Sequence, residues 1–138
     1  MADVSTLRLL LWQAGAVRCG APIERLARVL PVQPVTPIPG APRGVRGLVN
    51  VRGELVTVVD CRTLLGEPDA EAAADLVLVR SGARVIGLEV DEVHDIVTVP
   101  DSAVRPGPSG AEWQVNVGDG LVARLLDLDA LLSPLFPD

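Results

Sequence analysis

Lysine and tyrosine are absent from this chain of 138 residues, and aromatic residues amount to only 2% of it: Trp12, Trp113 and Phe136. All twelve basic residues are arginine, set against eighteen acids for a net charge of -6. Nucleic acid is a poor partner for such a chain, because phosphates demand a basic surface and unstacked bases demand aromatic faces. Histidine occurs once, as His94, so no two-histidine metal site can be assembled. No GxxxxGK[ST], GxGxxG or GxSxG pattern is present, which removes the sequence case for a nucleotide cradle or a nucleophile elbow. The two cysteines, Cys19 and Cys61, are far apart and outside any CxxC spacing, so a disulfide scaffold is not expected and a reducing compartment is. Met1-Ala2-Asp3 lacks the positive start of a signal peptide, and the apolar run Leu9 to Trp12 is far too short to cross a bilayer. These absences predict a cytoplasmic protein with no cofactor, no metal and no direct membrane insertion.

What is present is apolar and strand-like. Hydrophobic residues make up 49% of the chain and charged residues 22%, a balance that excludes disorder. A chain of this length buries roughly two-thirds of its unfolded surface, enough for one domain over residues 1–138. Valine clusters in short runs bounded by Gly, Pro and Asp, which reads as mainly β. Leu7 to Trp12 and Ala16 to Cys19 form an opening pair around Gly15. Pro22 then suits the first turn of a helix over Ile23 to Val29, with Ile23, Leu26, Ala27 and Leu30 on one face. Five prolines from Pro31 to Pro42 predict an extended connector.

Three hairpins follow, each closing on an aspartate. Val45 to Val51 turns at Arg52-Gly53 into Glu54 to Asp60. Leu76 to Arg80 turns at Ser81-Gly82 into Arg84 to Val90, before Asp91. Trp113 to Val117 turns at Gly118-Asp119-Gly120 into Leu121 to Leu126, before Asp127. A repeated hairpin of this kind suits small barrels. Ala70 to Ala74 is expected to be a flexible or briefly helical link between the first two hairpins, Arg105 to Gly110 a loop, and Asp129 to Leu132 the start of a short helix.

Reactive groups do not converge in this pattern. The three aspartates are expected to carry turns or cap helices rather than to form a carboxylate cluster. Both thiols are expected to behave as small hydrophobes, and His94 as a partly exposed side chain on a strand edge. No catalytic residue is assigned. Charge, however, is divided: residues 1–66 hold eight arginines against four acids, and the remainder four arginines against fourteen. Such an asymmetry can orient an encounter with another protein. Arg52, projecting from a tight turn, offers a planar fork for a partner's carboxylate or carbonyl groups.

At Val35-Thr36-Pro37-Ile38-Pro39-Gly40-Ala41-Pro42, Gly47-Leu48-Val49-Asn50-Val51-Arg52-Gly53 and Val58-Val59-Asp60-Cys61-Arg62, the chain resembles the CheW family, small coupling proteins of bacterial chemosensory arrays. The likeness resumes at Arg84 to Val93 and at Leu125 to Leu132. The resemblance implies two five-stranded SH3-like barrels sharing a core, with two short helices and a link near residues 67–75. It implies a non-enzymatic adaptor that couples the cytoplasmic tip of methyl-accepting chemoreceptors to the regulatory domain of a CheA-type histidine kinase, with self-association in arrays at the membrane as a further partner relation. By position it implies a receptor-binding groove formed by Leu26, Arg28, Val29, Gly47, Val49, Asn50 and Arg52, and it assigns no kinase-contact residues. Arg25 and Arg28 also place basic residues where the family often supplies an acid near the turn arginine.

Three other readings stay open on the sequence alone. One is a divergent adaptor of a pilus, gliding or developmental pathway that binds only one of the usual partners. Another is a small enzyme using Cys61 or His94, and the last is a purely structural oligomer.

Overall fold

A computed structural model describes residues 5–68, 73–108 and 112–136. It contains eleven strands: β1 Thr6–Ala14, β2 Val17–Pro22, β3 Leu26–Pro31, β4 Val45–Val51, β5 Glu54–Asp60, β6 Asp75–Ser81, β7 Arg84–Val90, β8 Glu92–Pro100, β9 Val104–Pro106, β10 Trp113–Gly118 and β11 Leu121–Leu125. Two short helices, α1 Cys61–Leu64 and α2 Leu128–Leu132, follow β5 and β11. One sheet has the order β8-β1-β2-β11-β10-β9 and the other β3-β6-β7-β5-β4. The expected five strands hold for the second sheet; the first has six, because β9 pairs with β10 along Pro106, Arg105 and Val104.

The side-chain period of a strand explains the long apolar runs. Along β1, Leu10, Trp12 and Ala14 enter one cluster while Leu9 and Leu11 enter another. Along β6, Val77 and Val79 join the first cluster, and Leu76 and Leu78 join a third. Strands buried on both faces lose polar alternation and read as continuous hydrophobic sequence. The first cluster draws on both sheets and lies between them, with Trp12, Cys19, Val59, Cys61, Leu88 and Leu128 among its members. The second lies within the six-stranded sheet, where Val99 of β8 meets Val115 of β10, so that sheet curls on itself. The third lies within the five-stranded sheet and unites Val49, Val56, Val58, Leu76 and Leu78, with Leu30 of β3 packed against it. Each sheet thus has a private core, and the two share a third.

The three predicted hairpins occur where the turn chemistry placed them. The helix expected over Ile23 to Val29 does not form. Ile23–Arg25 makes a single 3-10 turn after Pro22, and Leu26–Pro31 is a strand whose residues alternate between half-buried and exposed. The spacing of Ile23, Leu26, Ala27 and Leu30 fits a helix face, but Leu26, Arg28 and Leu30 also fit a strand face, and pairing with β6 decides between them. The loop expected from Arg105 to Gly110 begins two residues later, since Arg105 and Pro106 belong to β9; residues 109 and 110 lie outside the described residues. Of the expected link, residues 70–72 lie outside the described residues as well, while Ala74 donates to the Val90 carbonyl and accepts from the Val32 amide.

The proline-rich stretch is an extended connector, as expected, and it is anchored. Thr36 exchanges two backbone hydrogen bonds of 2.8 Å with Leu48 on β4. Gly47 makes this possible. Its φ is +145°, and a Cβ there would stand 2.1 Å from the Thr36 carbonyl oxygen. Only glycine allows the two backbones to approach so closely.

Candidate functional site

Twelve arginines in an acidic protein raise the question of which ones the fold consumes. Three from the first half of the chain are paired with acids of the second. Arg25 meets Asp129 at 2.5 Å, Arg46 meets the buried Glu89 at 3.1 Å, and Arg62 forms a two-point contact with Asp91. The asymmetry of the linear sequence is therefore folded together rather than separated into two lobes, because β2 pairs with β11 and β5 with β7.

The Arg62–Asp91 contact is a junction between the sheets. Asp60 caps α1 by accepting from the Arg62 amide and the Thr63 hydroxyl, which fixes the helix on which Arg62 stands. Asp91, just after β7, accepts from Arg62 and from the Gly15 amide in the β1–β2 turn. Glu67 adds a hydrogen bond from the Ala16 amide at 2.7 Å. The Arg62 guanidinium, followed by the Gly15 amide, holds the Asp91 carboxyl below its ordinary range. Burial pushes the Glu89 carboxyl up, with Arg46 opposing. Of the three hairpin-closing aspartates, Asp60 and Asp127 are helix caps as expected, and Asp91 is instead the acid of this junction.

The thiols lie in the shared core. Cys19 and Cys61 are fully buried neighbours, and the Cys61 thiol together with burial pushes the Cys19 thiol up. The buried Trp12 indole N–H has no hydrogen-bond acceptor among the described residues. His94 is on β8, at the edge of its sheet, 3.8 Å from the Glu92 carboxylate. Among the described residues no group of three His, Cys, Asp or Glu side chains could hold a metal ion.

A different environment surrounds Arg52. The β4–β5 turn holds Arg52 at φ +51° and Gly53 at +86°, the left-handed pair of a tight two-residue hairpin turn. Asn50 braces it by accepting from the Gly53 amide at 2.8 Å. Across the opening of the five-stranded sheet stands Arg28 of β3. The two arginines line one groove of about 270 Å³ with Ala27, Val51, Glu54, Val56, Leu78 and Val85. Val56 and Leu78 belong to the third cluster, so the groove floor is the exposed end of that core.

Of the seven residues that the resemblance nominates for a groove, the fold brings Arg28 and Arg52 together at this one. Val49 is buried in the third cluster, Gly47 seats the connector, and Asn50 shapes the turn. Leu26 packs on the shared core, and Val29 of β3 is exposed and does not line the groove. The apolar floor went unnominated, because Val56, Leu78 and Val85 read as ordinary strand residues. Trp113, half-exposed, lines a separate groove with Leu64, Leu125 and Leu131.

Comparison with known proteins is consistent with this architecture. The chain is 35% identical over 96 residues to a probable chemotaxis protein CheW of Rhizobium etli, covering 63% of this chain and 62% of that one. It is 37% identical over 82 residues to the chemotaxis protein CheW of Rhizobium meliloti, covering 57% and 53%. The matched part thus spans less than two thirds of these relatives' length. The fold is that of the scaffolding protein TtCheW from Thermoanaerobacter tengcongensis, with a TM-score of 0.84 over 93% of each chain at 20% identity. The family model for the CheW-like domain matches residues 8–135, and the chain belongs to that family.

Proposed function

We propose that this chain is a non-enzymatic adaptor, a single domain that couples chemoreceptors to a CheA-type histidine kinase in a chemosensory array on the cytoplasmic side of the membrane. Family membership and the likeness to a scaffolding protein support the adaptor reading. The observation that carries the site is the conformation of Arg52. Among the described residues only Arg52 and Asp119 adopt positive φ without being glycine. Asp119 is a residue type that tolerates this region, since a short polar side chain bonds locally; arginine gains nothing from it. An arginine placed where aspartate or asparagine would serve the turn better points to a role for its guanidinium outside the turn. The groove beside it supplies that role, with an apolar floor to bury a helix face and a planar fork to fix its orientation.

Purified chain, a receptor cytoplasmic fragment and the kinase regulatory domain from the same organism provide the test. Both fragments should be retained on the immobilised chain, and Arg52→Asn should release the receptor fragment while leaving the kinase domain bound. Retention of neither fragment by the native chain would overturn the adaptor reading.

A further inference from the structure

Charge at the groove is not balanced by the fold. Arg28 and Arg52 line it, and Glu54 is the single acid among its lining residues. Among the described residues neither arginine forms an ion pair, whereas Arg25, Arg46, Arg62 and Arg124 all do. Arg28 is half-buried on β3, opposite Leu78 of β6 and on the side of the strand shared with Leu30, so its charge stands beside apolar wall rather than out in bulk water. A guanidinium in that position interacts more strongly with whatever charge approaches it than a fully solvated one does.

We infer that the groove selects an acidic helical segment: the partner presents carboxylates to Arg28 and Arg52 over an apolar stripe that covers Val56, Leu78 and Val85. This rests on the adaptor reading for the identity of the partner and adds to it the sign of the partner's charge, with Arg28 as the specificity residue. Two guanidiniums against one carboxylate leave the groove with one net positive charge at pH 7. A partner carboxylate gains a charge-assisted, two-point hydrogen bond from either fork. A partner lysine or arginine at the same place would be pressed against like charge while losing water, and such an arrangement is rejected. A receptor tip that places a basic residue opposite Arg28 is therefore excluded, so the chain discriminates among receptors by the sign of one position.

The test uses calorimetric titration of the full chain with a soluble cytoplasmic-tip fragment of a chemoreceptor from the same organism. Four proteins are compared: native, Arg28→Gln, Arg28→Glu and Ala27→Trp, the last filling the groove without changing its charge. The native fragment should bind with a Kd that rises with salt; Arg28→Gln should show a shallower salt dependence, and Arg28→Glu should bind at least about tenfold more weakly. A fragment whose tip carboxylates are replaced by lysine should lose binding to the native chain and recover it with Arg28→Glu. Ala27→Trp should abolish binding of the native fragment. If Ala27→Trp abolishes binding while Arg28→Glu leaves it equal or tighter, the groove stands and the acidic-partner inference falls. If Ala27→Trp leaves binding intact, the groove is not the receptor site and the inference falls with it. Circular dichroism of each variant separates either result from loss of folding.

Discussion

Arg52 and Arg62 flank the same strand, β5, and the fold treats them in opposite ways. At one end Arg62 is fully engaged: its guanidinium grips Asp91, reaches the Pro68 carbonyl and holds α1 against the β1–β2 turn. At the other end Arg52 has no ion-pair partner among the described residues, occupies a backbone conformation that suits other residue types, and overlooks an apolar groove. The difference separates arginine used as internal mortar from arginine held out for a visitor. Sequence sets Arg52 in a hairpin turn, but it does not show that Asp91, twenty-nine residues on, engages Arg62.

Three substitutions sharpen or break that comparison. The largest effect is expected at Trp12, which is fully buried in the shared core beneath the engaged end. Trp12→Ala should cost about 3–5 kcal/mol in urea denaturation. Receptor-fragment binding should fall only in proportion to the unfolded fraction. Next comes Asp91→Asn, which loosens the junction and should lower Tm by roughly 3–8 °C at pH 7. Because the folded protein holds the Asp91 carboxyl below its ordinary value of 3.8, this contribution is complete above that pH and disappears as pH falls through the depressed value. Native and Asp91→Asn melting curves should therefore converge as pH falls below 3.8; a constant gap down to acid pH would mean the junction is not held by charge. The smallest effect on stability belongs to Arg52→Asn. Asparagine tolerates the left-handed region better than arginine, so Tm should stay level or rise slightly, within about 0.5 kcal/mol of the native protein. A marked loss of stability there would show that Arg52 is structural, and the contrast between the two ends of β5 would collapse.

Hairpins were legible in the sequence because turn chemistry is local: Arg52-Gly53, Gly82 and Asp119-Gly120 mark reversals that need no tertiary information. The caps at Asp60 and Asp127 were legible for the same reason. Strand β3 was not, since a six-residue stretch with Leu26, Arg28 and Leu30 satisfies helix and strand spacing alike until β6 is beside it. Strand β8 shows no clean alternation either, because its pairing with β1 shifts register between Leu10 and Trp12. As for the site, the two arginines were visible and their convergence was expected from the family resemblance. The floor was invisible, because nothing in the order of residues says that Val56 and Leu78 form the exposed end of a core rather than its middle.

The contact between Thr36 and Leu48 has a consequence for how copies of this protein behave when crowded together. Strand β4 lies at the border of its sheet, and a bare border invites pairing with a neighbouring molecule. The connector occupies that border with a single bridge and then, through Pro37 and Pro39, withholds the amide donors that a further strand would require. A second molecule meets no ladder to extend. Where copies are crowded side by side, the proline connector obstructs strand-by-strand pairing at this border.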